Sequence, residues 1–93
     1  MILERYMNLE EIRREIDKID KDIIQLIKKR LDLAVLAGNN KINNNLRLID
    51  LKREKEILIK VKDRCKLLNL NNGIILKIFK LIILISRDKQ ELI

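Results

Sequence analysis

No histidine and no proline occur in the 93 residues, and cysteine is present once, at Cys65. Without histidine, and with a single thiol, nothing is available from which to build a zinc site or a Ser-His or Cys-His nucleophile system. Cys65 has no partner for an internal disulfide, and the apolar spacing sets it on a helix stripe, where a buried thiol is commoner than a reactive one. A reducing, intracellular home is expected. Glycine is confined to Gly38 and Gly73, whereas an all-β domain needs Gly, Pro or Asp-Gly signals at every hairpin. The shortage argues against sheets. Aromatics are only 2% of the chain, Tyr6 and Phe79, while apolar residues make up 47%, so the core has to come from Ile and Leu. That suits packed helices. A membrane span is also missing: Ile74 to Ile85 is apolar, but Lys77 and Lys80 interrupt it, and it is shorter than the roughly 20 residues a span requires. Met1-Ile2-Leu3-Glu4-Arg5 lacks the apolar run and small-residue cleavage site of a signal peptide, and the expected location is the cytoplasm.

What the chain has in quantity is positive charge, 21 Lys and Arg against 14 Asp and Glu, a formal net charge of +7. Such a balance admits nucleic acid, an acidic membrane surface or a small anionic substrate, and the placement of the charges has to choose among them. The length fits one domain, residues 1–93, with a modest core that a partner subunit would supplement.

Apolar residues recur at Leu9, Ile12, Ile16, Ile19, Ile23 and Leu26, then at Leu33 and Ala37, a heptad spacing sustained over several turns. Asn8 followed by Glu11 offers an N-cap and its capping-box partner. No breaker precedes Gly38 and Lys41 still continues the register, so the first helix is expected over residues 8–42. At 1.5 Å per residue it would be about 50 Å long, whereas a compact globule of this size has a radius of gyration of about 12 Å. Such a helix overhangs its own domain, and a second copy lying along the exposed stripe is the simplest cure. Asn43-Asn44-Asn45 reads as a turn; a second stripe, Leu51, Leu58, Val61, Cys65 and Leu68, predicts a helix over 50–67. Asn69 to Gly73 breaks the chain again, ahead of a third helix over 72–91 carrying Ile75, Ile78, Phe79, Ile82 and Ile83. The expectation is an all-α homodimer of three-helix chains, one helix very long.

Each helix puts polar residues where the pattern asks for apolar ones. Arg30 falls on the line of Leu9, Ile16, Ile23 and Ala37, so a guanidinium points into the helix interface, while Arg13 and Lys41 flank that stripe near opposite ends. Glu54 stands between Leu51 and Leu58, one turn after Asp50 and beside Arg53, and the stripe Ile75, Phe79, Ile82 continues into Ser86 and Gln90. Singly, each has an ordinary structural explanation: an Arg30–Glu54 pair fixing register, Asp50 as the N-cap of the second helix, Arg13, Lys41 and Arg53 as solvated charges, Ser86 and Gln90 as the point where the third helix leaves the core. Together these explanations leave surplus positive charge and several unmatched polar groups inside one small bundle. A bound anion resolves the surplus.

These residues resemble the helical chorismate mutases. The likeness runs without a gap over about residues 9–91, through Ile12-Arg13, Ile19-Asp20, Arg30, Lys41, Asp50-Leu51-Lys52-Arg53-Glu54, Phe79, Ser86 and Gln90, with residues 1–7 extending beyond it. The resemblance implies an intertwined homodimer converting chorismate to prephenate without cofactor or metal. It also implies that Arg13 reaches into the partner's site, while Arg30, Lys41, Asp50, Arg53, Glu54, Ser86 and Gln90 complete the pocket within one chain. In that family pattern Arg13 and Arg30, with Ser86, hold the two substrate carboxylates, and Lys41 and Gln90 donate to the ether oxygen. Glu54 and the backbone near Asp50 accept the ring hydroxyl, and Arg53 braces the carboxylates of its segment. The chain has no room for a fused dehydratase or dehydrogenase, so a monofunctional enzyme is expected.

Two other readings stand beside this one. An isochorismate-pyruvate lyase shares the fold and much of the pocket. A basic helical dimer binding nucleic acid or serving as an adaptor is a different class, but acid and base are interleaved along each helix, aromatic stacking groups are nearly absent and the informative cations face inward. A small-molecule partner is therefore preferred to nucleic acid or membrane.

Overall fold

The computed structural model describes residues 7–91; the expectation drawn from Met1 to Arg5, and most of the extension at residues 1–7, fall outside the described residues. Within that range the chain folds as three helices with no strand, α1 (Leu9–Asn43), α2 (Leu51–Leu67) and α3 (Asn72–Glu91). The expected bounds agree to about one residue.

Helix starts follow the sequence signals. Asn8 Oδ1 accepts from the Glu11 backbone N–H at 2.9 Å, and Asn8 Nδ2 donates back to the Glu11 carboxylate at 3.1 Å, satisfying one of the orphan donors of the first turn. Asp50 does the same for α2, accepting from the Arg53 backbone N–H at 3.0 Å. The helix ends show how a chain with two glycines terminates two helices. Asn45 and Asn69, each at φ 56°, take the left-handed position that Gly usually fills. Around Asn45, Leu46 N–H donates to the Lys41 carbonyl at 2.7 Å and Asn45 N–H to the Ile42 carbonyl at 3.1 Å. The same pair of bonds recurs from Leu70 to Cys65 at 2.9 Å and from Asn69 to Lys66 at 3.3 Å. Both ends are Schellman caps, with Asn in place of Gly. α1 runs on through Gly38, which is buried.

α3 is the shared wall, packing on both α1 and α2. The interior so formed is slight. Among the described apolar side chains only Cys65, 2% exposed, and Ile83, 6% exposed, are buried. The molecule is elongated instead, 56 × 25 × 17 Å with a radius of gyration of 17.0 Å, well above the value of about 12 Å for a compact chain of this length. From Arg13 to Leu26 every residue of α1 is exposed, including Ile16, Ile19, Ile23 and Leu26 of the heptad stripe. No helix among the described residues is long and apolar enough to cross a membrane.

Candidate active site

Where the C-terminal half of α1 meets α3 and the start of α2, a cleft of about 330 Å³ opens. Arg30 and Lys41 reach it from α1, Asp50, Arg53 and Glu54 from the turn into α2, and Ser86 and Gln90 from α3. These are seven of the eight residues singled out from the sequence. Arg13 is absent from this cleft and lies in the exposed stretch, about 25 Å along the helix from Arg30 at 1.5 Å per residue.

Arg30 donates to the Ser86 hydroxyl at 2.7 Å, and that hydroxyl passes its own proton to the Ile82 carbonyl one turn back at 2.9 Å. No carboxylate among the described residues comes within ion-pair distance of Arg30. Burial first, and the neighbouring Arg53 guanidinium second, push Arg30 below the ordinary arginine value. A guanidinium held this way between desolvation and a like charge presents its remaining donors to an incoming anion.

Lys41 is anchored by the helix end it sits on. The left-handed Asn45 turns the chain so that the Leu48 carbonyl accepts from Lys41 Nζ at 2.6 Å. Gln90 Oε1 accepts a second Nζ proton at 3.3 Å, and Gln90 Nε2 donates to the Ala34 carbonyl of α1 at 3.0 Å. Gln90 is 8% exposed, with a partner at Oε1 and another at Nε2, so it ties α3 to α1 and fixes Lys41 together. One ammonium proton of Lys41 and one amide proton of Gln90 remain for a ligand.

Two pairings differ from the ones the sequence suggested. Glu54 is not paired with Arg30; its carboxylate meets Arg87 of α3, with Nε to Oε2 at 2.7 Å and the second nitrogen on Oε1. Arg53 does not brace Glu54 or Asp50 with its guanidinium, which instead lies 3.6 Å from the exposed Glu56. Asp50 reaches the cleft but spends its carboxylate on the α2 cap. Arg87 was not among the expected site residues, although it lines the cleft. Its signal is the series Ile83, Arg87, Gln90, spaced i, i+4, i+7 on the inward stripe of α3. The hydrogen bond that Arg87 donates to the Glu54 carboxylate, chiefly, raises Arg87 above the ordinary arginine value. Among the described residues no group of three or more His, Cys, Asp or Glu side chains is placed to hold a metal ion.

An all-helical chain whose cleft assembles guanidinium, ammonium and amide donors from two helices, with one ion-paired carboxylate facing them, is built to receive a small anion. The chain belongs to the chorismate mutase type II family, whose model matches residues 12–91. It is 37% identical over 83 residues to the chorismate mutase of Methanocaldococcus jannaschii, covering 89% of this chain and 84% of that one. It is also similar to the bifunctional chorismate mutase/prephenate dehydratase of Buchnera aphidicola subsp. Schizaphis graminum, 42% identical over 76 residues and 82% of this chain. The match spans only 20% of that bifunctional relative's length. Among solved structures, a conserved hypothetical protein from Pyrococcus furiosus superposes with a TM-score of 0.69 at 41% identity, covering 88% of this chain and 93% of the other.

Proposed function

We propose that this chain is one chorismate mutase domain that catalyses the rearrangement of chorismate to prephenate, and that it does so as an antiparallel homodimer with sites shared between chains. The observation that carries the reading is the convergence of Arg30, Lys41, Ser86 and Gln90 on one cleft with no carboxylate of the described residues paired to either cation. Chorismate carries two carboxylates, and its reaction is intramolecular: the ether C–O bond breaks as a C–C bond forms, with no covalent step on the protein. Arg30, and Arg13 of the other copy, would hold the carboxylates and fold the enolpyruvyl arm over the ring. Negative charge grows on the ether oxygen as its bond to the ring breaks. The spare protons of Lys41 and Gln90 would meet it there, in a site whose dipoles are already fixed by Leu48 and Ala34. Ser86 sets the angle of the Arg30 guanidinium, Glu54 would accept the ring hydroxyl, and Asp50 and Arg53 shape the rim.

The dimer rests on the overhang. Burying Ile16, Ile19, Ile23 and Leu26, each at least half exposed or nearly so, would contribute about 1–2 kcal/mol per side chain. It would also set Arg13 of one copy near Lys41 of the other.

Pure protein incubated separately with chorismate and isochorismate, in EDTA and without nucleotide, tests the proposal. Prephenate formed from chorismate, with no pyruvate released from isochorismate, is the expected result. Pyruvate from isochorismate as the main product, or loss of activity on chelation, would overturn it.

A further inference from the structure

Two carboxylates line the cleft and oppose the charge of the substrate proposed for it: Asp50, whose oxygen caps α2, and Glu54. Glu54 would accept a hydrogen bond from the ring hydroxyl, yet a bare carboxylate in the same cleft repels a dianion in the ground state and the transition state alike. Arg87 answers both demands. Its fork takes one hydrogen bond to each Glu54 oxygen, and a two-point grip fixes the plane of a carboxylate as a lysine does not. The pair bridges α2 and α3, half-sheltered, with Arg87 29% and Glu54 19% exposed at the side chain. The other ion pairs among the described residues join neighbours on one helix and are largely solvated, where such pairs contribute little.

We propose that Arg87 is a positioning residue for the chorismate reaction, acting through Glu54: it fixes the plane of the Glu54 carboxylate for the ring hydroxyl and cancels its charge toward the dianion. This inference rests on the function proposed above. Because the repulsion it removes is felt equally before and during bond breaking, its loss shows in KM and not in kcat.

The experiment is a double-mutant cycle on chorismate turnover, using Arg87→Met, Arg87→Lys, Glu54→Gln and the Glu54→Gln/Arg87→Met pair, with thermal unfolding of each. Arg87→Met is expected to raise KM on the order of tenfold, the scale of a hydrogen bond to a charged group, with kcat within about threefold. Arg87→Lys, which keeps the charge and loses the fork, should recover only part of the KM, the remainder reporting the two-point grip on the carboxylate plane. In the Glu54→Gln background, Arg87→Met should change KM by less than about twofold, because the carboxylate that Arg87 pairs with is gone. An equal rise in KM in both backgrounds, or a lowered Tm with KM unchanged, would overturn the assignment while leaving the enzyme reading intact. Should Arg87→Met fail to fold, Arg87→Gln, which also removes the charge, carries the same test with and without Glu54→Gln. Wild-type protein that neither binds nor turns over chorismate would overturn both the function and this role.

Discussion

The two halves of α1 obey one apolar rhythm and have different surroundings. From Ile27 to Lys41 the inward positions lie against the rest of the fold, with Gly38 buried and Arg30, Ala34 and Lys41 partly sheltered. From Arg13 to Leu26 the rhythm continues, yet every residue is exposed. Periodicity reports which face of a helix asks for cover; it does not say what provides it. The C-terminal half finds its cover in α3 and builds a cleft, whereas the N-terminal half finds none among the described residues and carries Arg13, the one expected site residue outside that cleft.

The sharpest way to break the comparison is inside the cleft. Lys41→Ala removes an ammonium already aimed by Leu48 and Gln90, and kcat should fall on the order of 10²–10³-fold, more than KM rises, as for the loss of one preorganised donor to a developing charge. Steady-state kinetics decide it; an unchanged kcat would remove Lys41 from the reaction.

Next is the overhang. Ile23→Asp sets a carboxylate on the exposed stripe and touches nothing in the cleft of its own chain. If the stripe is covered in solution, desolvating that charge costs several kcal/mol. Sedimentation should then show monomer and activity should drop at least tenfold. A variant that stays dimeric and active would mean that the two halves of α1 do not need each other.

Much of this was legible in the sequence, because helix signals are local. Asn8 and Glu11, Asp50, and the Asn-rich breaks named the element ends almost to the residue. Arg30, Glu54, Ser86 and Gln90 were legible too, since an inward polar residue on a regular stripe is an anomaly that a single helix displays, whereas Lys41, Asp50 and Arg53 were expected in the cleft only through the family resemblance. The partners of those residues were not. Whether Glu54 meets Arg30 or Arg87 depends on how α3 is rotated against α2, and one-helix periodicity contains no such information. In the same way, the Asn runs marked turns without revealing that Asn45 and Asn69 are the residues with left-handed backbone.

A smaller effect is expected at Ser86. Ser86→Ala leaves the Arg30 guanidinium without its acceptor at 2.7 Å, and a lost hydrogen bond to a charged group is worth about 1.5 kcal/mol. kcat/KM should fall about tenfold with the fold intact by circular dichroism. An effect as large as that of Lys41→Ala would mean that the hydroxyl itself meets the reacting atoms.

The smallest is away from the site. Asn69→Ala puts a β-carbon on a left-handed residue without the local hydrogen bonding that Asn can supply, costing about 1 kcal/mol. Tm should fall by a few degrees with kcat and KM unchanged. Asn69→Gly should leave Tm at or slightly above the wild-type value. A lower Tm for Gly than for Ala would contradict the cap described here.

The central claim, that the uncovered half of one α1 completes the cleft of another copy, is tested most directly by mixing two inactive proteins. Arg13→Ala and Lys41→Ala homodimers should each be nearly inactive. Unfolded together in equal amounts and refolded, half of the dimers should be mixed, and each mixed dimer should hold one site with Arg13 and Lys41 both intact and one with both missing. With independent sites, about one quarter of wild-type activity should return. No recovery, with subunit exchange demonstrated by mass-tagged chains, would show that Arg13 does not serve the partner's cleft.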